Sequence, residues 1–180
     1  VSESGEVAVY PMTAKDELIF KTPDALLNGE ATVTVIQSCV PAIKNAWHMP
    51  SIDVDATLIA IRMATYGVDM DVTDKCPKCE TVNDKSVDLR NVLDNLLDIT
   101  FTQTVEISED MVVYLRPMNY KEITGTALKT FEHQRIFNII NDESVEEAEK
   151  LRLFNESFIK LTDLTLDTAV KCVIKIESAQ

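Results

Sequence analysis

The pattern of apolar and polar positions changes character along the chain. In the first part it follows helical spacing with clear punctuation. Thr13 precedes the run AKDELIF, with Asp16 and Glu17 in the opening turns, where a hydroxyl caps the free N–H groups and negative charge suits the helix dipole. Thr22-Pro23-Asp24 repeats the signal, with Pro23 at the first helical position and Gly29 as the stop. Ala31 to Cys39 alternates like a strand but has a helix's length between Gly29 and Pro41, and we read it as a helix. A further helix is predicted over Asp55–Tyr66, with Asp55 near its cap and Gly67 just past its end. It has almost no polar face, which predicts burial on most sides.

After Gly67 the period shortens to two. Val68-Asp69-Met70-Asp71-Val72 predicts a half-exposed strand, the CPKC turn follows, and Thr81 to Leu89 continues as a second extended segment. A short helix over Arg90–Leu97 precedes two alternating runs, Thr102 to Ile107 and Met111 to Arg116, joined as a hairpin by Ser108-Glu109-Asp110. Helical spacing then returns from Tyr120 to Ile140, with Gly125 as a weak point. Ser144-Val145-Glu146-Glu147 reads as a capping box ahead of Leu151, Phe154, Phe158 and Leu161 at helical spacing. The final segment places Leu166, Ala169, Cys172, Val173 and Ile176 on one helical face and Asp167, Lys171 and Lys175 at i, i+4 spacing on another. The expected fold is therefore α+β in three parts: a mostly helical N-terminal part over 1–67, a β-rich, zinc-knuckle-like subdomain over 68–116, and a helical C-terminal region over 117–180.

Composition narrows the function classes. The 180 residues carry a net charge of −13 and are 46% hydrophobic, enough for an ordinary core despite the acidity. Such a balance excludes nucleic-acid binding through phosphates, which needs clustered Lys and Arg. Apolar runs such as Leu58 to Ile61 fall far short of the roughly 20 residues that span a bilayer, so no membrane role is expected. The acids concentrate at 51–74 and 141–150, each with five acids against one base, and suit solubility or steering toward a basic partner. No basic and apolar leader opens the sequence, and four cysteines in a chain of this length do not form a disulfide scaffold, which points to a reducing compartment. The sequence starts at Val1, and VSESGEVAVYPM reads as a strand already under way, which points to residues upstream.

Candidate chemistry is confined to Cys76-Pro77-Lys78-Cys79, whose two thiols at this spacing can reach one metal ion. Three readings stay open. One is a structural zinc site completed by Cys39, His48 or a neighbouring chain. Another is a metal-free knuckle held by its hairpin, in which case no cofactor is required. The last is a thiol redox site, which calls for a helix after the motif where Glu80 to Asp84 reads as strand. Cys172 reads as a core thiol and His133 as part of a solvated face. Arg62 is either a locally paired arginine at the core edge or an interface anchor. No nucleophile elbow, phosphate-cradling glycine loop or HExxH motif occurs, so no catalytic residue is expected.

The order of segments carries more than any one of them. GEVAVYPMTAKDELIF, TPDALLNGEA, CVPAIKN, DVDATLIAIRMATYG, and CPKC leading into SVDL together resemble the baseplate proteins of T4-like contractile-tailed bacteriophages, in particular the central-spike or hub component, over about residues 5 to 90. The matching positions are Pro11, Met12, Asp16, Glu17, Asp55, Arg62, Tyr66, Gly67, Cys76 and Cys79. The resemblance implies a non-enzymatic structural or assembly role in the tail. It implies synthesis in the host cytoplasm, a place in the virion baseplate, and contacts with other hub or tail proteins. Symmetric self-association suits such an assembly, and the amphipathic C-terminal helices are the expected contact elements. The runner-up is a metal-stabilised binding module outside a virion, followed by a CxxC thiol oxidoreductase. One departure stands out: knuckle turns commonly place glycine after the second cysteine, and this chain has Glu80.

Overall fold

The computed structural model describes residues 6–140 and 146–178, with the side chains of 132–140 outside that description. It is mixed α+β, as the pattern predicts, and divides into two compact units at Thr100/Phe101.

The first unit is organised around α3 (Glu30–Cys39), with α1 (Ala14–Phe20), α2 (Pro23–Leu27) and α4 (Ser51–Tyr66) packed against it. Ala31, Val33, Val35, Ile36, Cys39 and Val40 are buried, together with Val54 and Ile61 of α4. The TVTVI stretch is therefore a core helix, in which packing on three neighbours outweighs the strand preference of its β-branched residues. A 3₁₀ turn at Ala46–His48 leads to α4, which begins at Ser51 behind Pro50 rather than near Asp55. Gly67 ends α4 at φ 89°, a conformation that favours glycine. The expected burial of α4 on most sides does not hold: Val54 and Ile61 are buried, whereas Ile52 and Tyr66 are exposed. The opening segment is irregular over residues 6–13 instead of a strand. It is tied down by Tyr10 N donating to Cys39 O at 2.8 Å and Met12 N donating to Thr65 Oγ1 at 2.9 Å.

From Gly67 the chain runs into β1 (Asp69–Lys75), which pairs antiparallel with β2 (Val82–Asp88) from Asp69↔Asp88 to Lys75↔Val82. α5 (Leu89–Leu97) follows and anchors the hairpin root through buried Leu89, whose N–H donates to Val68 O at 2.8 Å. Seven residues per strand make an arm roughly 20 Å long.

The second unit holds a three-stranded antiparallel sheet in the order β3 (Thr104–Ser108), β4 (Met111–Leu115), β5 (Val173–Ser178), with the helices α6 (Tyr120–Ile140) and α7 (Glu147–Cys172) packed on each other. The strands expected as one subdomain over 68–116 thus belong to two sheets, one in each unit. The C-terminal helix also ends earlier than its pattern suggests. Lys171 closes the expected i, i+4 pair with Asp167 at 2.6 Å, but Lys175 turns to Glu177 at 2.6 Å within a strand. Val173, Ile174 and Ile176 are strand formers, and pairing with β4 decides the outcome. The expected cap residue Ser144 lies outside the described residues.

The α7 side chains that face inward are Leu153, Ser157, Leu161, Leu164 and Thr168, at spacings of four, four, three and four. Of the stripe predicted from sequence, Leu161 faces inward, whereas Leu151, Phe154 and Phe158 are exposed, with the two phenylalanine rings stacked at 6.4 Å. The sheet is equally one-sided. Val105, Val113 and Ile176 stand opposite one another, with Met111 and Leu115 on the same face and Ser108 and Ser178 flanking Met111, so that face is uncharged and mostly apolar. Ile176 is 60% exposed and Met111 37%. The other face carries Tyr114, whose hydroxyl donates to Glu177 Oε2 at 2.7 Å, with Lys175 Nζ 4.0 Å from its ring centroid.

Candidate functional site

Two groups of sequence-marked residues acquire a geometry. In the first, Asp16 sits in a capping box: Asp16 N donates to Thr13 Oγ1 at 3.4 Å, while Thr13 N and Thr13 Oγ1 donate to Asp16 Oδ2 at 2.8 and 2.7 Å. Ser38 Oγ on α3 donates to the same oxygen at 3.2 Å, so one buried carboxylate both starts α1 and fastens it to the core helix. Burial by itself pushes this carboxyl up, but the Thr13 and Ser38 bonds and the Lys15 charge outweigh it and hold it below its ordinary value.

The neighbouring Glu17 accepts from the Tyr66 hydroxyl at 2.7 Å, joining α1 to the end of α4. The Arg62 guanidinium lies 4.7 Å from the Tyr66 ring centroid and donates to Gly67 O at 3.4 Å. Arg62 is therefore locally paired. Asp16, Glu17, Arg62, Tyr66 and Gly67 are brought together as a structural network that joins α1 to α3 and α4.

The second group is the CPKC turn at the tip of the β1–β2 arm. Glu80 N donates to Cys76 O at 2.8 Å and Cys76 N to Thr81 O at 2.9 Å, which closes the turn over the two cysteines. Glu80 has φ 58°, the left-handed conformation that glycine takes in the commoner form of this turn. The turn takes this positive φ without a glycine, and Lys75 Nζ meets Glu80 Oε2 at 3.1 Å. Cys76 is half-buried and Cys79 exposed, and both are free thiols. Cys79 Sγ lies 3.2 Å from Thr81 Oγ1. Hydrogen bonds from the Thr81 hydroxyl, the Thr81 N–H and the Cys76 thiol hold the Cys79 thiol below its usual pKa.

The other candidate ligands lie elsewhere. Cys39 is buried at the end of α3, where burial and then the Asp16 charge push its thiol up, so it stays protonated. His48 is exposed on the 3₁₀ turn. Among the described residues no third His, Cys, Asp or Glu joins a pair to complete a metal-binding group. Cys172 is half-buried at the end of α7, and its carbonyl accepts from Arg116 N at 2.8 Å. The His133 side chain and residues 142 and 143 of the acidic cluster lie outside the described residues. Strand β2 follows the motif, so the helix start that a redox CxxC uses is missing from this turn.

The arrangement offers a fold-holding network, a thiol pair on an exposed arm and uncovered apolar faces. A family model described as T4 bacteriophage base plate protein matches residues 1–180, the whole chain. The chain belongs to this family. The match extends the likeness beyond residue 90 into the second unit, where the sequence alone offered no motif. Comparison with curated proteins gave no match, and comparison with solved structures gave none. Membership gives the protein a structural role in the phage tail baseplate, in association with other baseplate proteins. No described helix of this baseplate protein is long and apolar enough to cross a membrane.

Sequence reasoning missed the apolar sheet face, because Ile176 joins it only through β5, where the sequence pattern predicts helix. The signal was present as alternation in Val173-Ile174-Lys175-Ile176-Glu177.

Proposed function

We propose that this baseplate protein is a non-enzymatic component of the central hub or spike, either resident or engaged during its assembly in the host cytoplasm. It works by protein–protein contact, and its partner is another hub protein. The observation that carries this reading is the uncharged face of β3–β4–β5, with Val105, Val113 and Ile176 in register beside Met111 and Leu115. Val105, Met111 and Ile176 are exposed there while Val113 and Leu115 are half-buried, and exposed apolar side chains grouped on one face suit contact with another baseplate protein. The exposed α7 stripe of Leu151, Phe154 and Phe158 is a secondary contact in the same unit.

The test is co-purification with a hub subcomplex assembled from the same phage. The double variant Met111→Lys, Ile176→Lys adds two charges at exposed positions and leaves the α6–α7 pairing intact. It is expected to abolish co-purification while circular dichroism stays unchanged. Thr104→Lys on the opposite face is expected to bind normally. Wild-type binding by the double variant, or loss of binding confined to Phe158→Lys on α7, would overturn the assignment to the sheet.

A further inference from the structure

The CPKC turn has half the ligands of a closed metal site. Two thiols stand three residues apart on a turn closed by the bonds from Glu80 N to Cys76 O and from Cys76 N to Thr81 O. The positive φ of Glu80 goes with those bonds, which fix the backbone around the two cysteines at an exposed tip. Structural zinc takes four ligands in a tetrahedron, and a set of four thiolates is among its standard ones. Among the described residues the chain offers no third ligand at this place.

We propose that Cys76 and Cys79 bind one zinc ion together with Cys76 and Cys79 of a second copy of this chain, so that the metal joins two hairpin tips across a two-fold axis. A tetrahedron admits that axis, which exchanges one S–Zn–S pair with the other, and an isologous contact then closes on itself as a dimer. Access fits. The outer halves of β1 and β2 are exposed, and nothing in the first unit packs around the tip, so two arms can meet end to end.

Charge fits as well. Four thiolates around one Zn²⁺ leave two negative charges. Each tip carries Lys75 and Lys78 beside Asp74 and Glu80, so it has no net charge in a molecule of net charge −13. Two tips therefore bring lysines to an anionic centre without the acidity found elsewhere in the chain, which suits this spot to self-association. The proposal stands apart from the hub assignment, since it concerns only copies of this chain.

The experiment uses the full chain, purified under reducing conditions without chelator. Bound metal is measured by plasma mass spectrometry and molar mass by light scattering, and metal-free protein is titrated with Co²⁺ as a spectroscopic probe. Expected are half a zinc ion per chain, a dimer that dissociates on chelation, and Co²⁺ saturating at half an equivalent with the thiolate charge-transfer and red-shifted ligand-field bands of a four-sulfur site. Cys76→Ser and Cys79→Ser should each lose metal and dimer. Lys78→Glu keeps both thiols and should weaken dimerisation without unfolding the chain, which keeps the test decisive if the serine variants misfold. Saturation at one Co²⁺ per monomer, no metal bound by the purified chain, or a dimer that survives chelation would each overturn the proposal.

Discussion

Removing the Asp16 carboxylate should selectively loosen the first unit, and the structure sets the size of the effect. Three donors converge on Asp16 Oδ2: Thr13 N at 2.8 Å, Thr13 Oγ1 at 2.7 Å and Ser38 Oγ at 3.2 Å. Thr13 and Ser38 are exposed, so their hydroxyls find water once the carboxylate is gone, and the loss centres on the charge-assisted bond to the Thr13 N–H and on the cap. A bond of that kind contributes about 1.5–3 kcal/mol and a helix cap about 1 kcal/mol, and since the two overlap here we expect about 2–3 kcal/mol for Asp16→Ala. Asp16→Asn keeps an acceptor but loses the charge, and should cost about half as much. For a domain of this size each kcal/mol lowers the midpoint by about 4–8 °C, which puts Asp16→Ala about 10–20 °C below wild type. Trp47 is the only tryptophan and lies in the first unit, so its fluorescence follows that unit during urea or thermal unfolding. The pH dependence follows from the depressed native pKa. The stabilisation is fully present above the unfolded value near 3.9 and is lost as pH falls through the lower native value, so wild type and Asp16→Asn should converge in acid. A change below about 0.5 kcal/mol for Asp16→Ala would refute the view that this carboxylate fastens α1 to α3, given the typical cost of a lost cap.

Two further outcomes are expected. In the second unit, Arg116 grips Glu122 with two bonds of 2.7 and 2.8 Å and Asn119 N adds one of 2.9 Å, which brings the Glu122 carboxyl down to about 2. Its contribution is complete above the unfolded value near 4.3 and fades as pH drops toward 2. Glu122→Gln should therefore cost about 1–2 kcal/mol at pH 7 after allowance for partial exposure, read as a lower helical melting midpoint, and approach wild type as pH falls through about 2. At the knuckle, Glu80→Gly removes the cost of a left-handed non-glycine residue, about 1–2 kcal/mol, and gives part of it back as chain entropy, so it should be neutral or stabilising by up to about 1 kcal/mol. Glu80→Val, β-branched at the same torsion, should destabilise the hairpin. Equal midpoints for the glycine and valine variants, measured by amide exchange along β1 and β2, would show that the turn does not need the positive φ.

The legible parts of the fold were those fixed by local chemistry. Thr13, Pro23 and Gly29 mark helix ends through caps that act within one turn, and α6 runs over the predicted Tyr120–Ile140. Where two local patterns coexist, contacts distant in sequence decide. Val173 to Glu177 satisfies both a helical face and strand alternation, and only β4, some sixty residues earlier, selects the strand. On α7, Leu153, Leu161 and Leu164 are as helically spaced as Leu151, Phe154 and Phe158, and α6 selects the former as the seam. The site was legible as a thiol pair but not as a conformation: nothing about Glu80 announces its positive φ, which accompanies hydrogen bonds across the hairpin tip.

The overestimated burial of α4 and the misread stripe on α7 share a cause that bears on function. An apolar pattern states that a surface needs cover, without saying which molecule provides it. In a self-sufficient chain the cover is internal, and pattern and burial agree. Here they part at Ile52 on α4, at Phe158 on α7 and at Ile176 on the sheet. By contrast, the family-matching positions Asp16, Glu17, Arg62, Tyr66 and Gly67 are engaged within the first unit, where they join α1 to α3 and α4. The motif therefore records the scaffold, while the surfaces available to neighbours lie largely outside it. Substitutions in the motif should cost stability, whereas substitutions at Met111 or Ile176 should spare the fold and cost assembly, a separation of effects that an isolated enzyme domain has no reason to show.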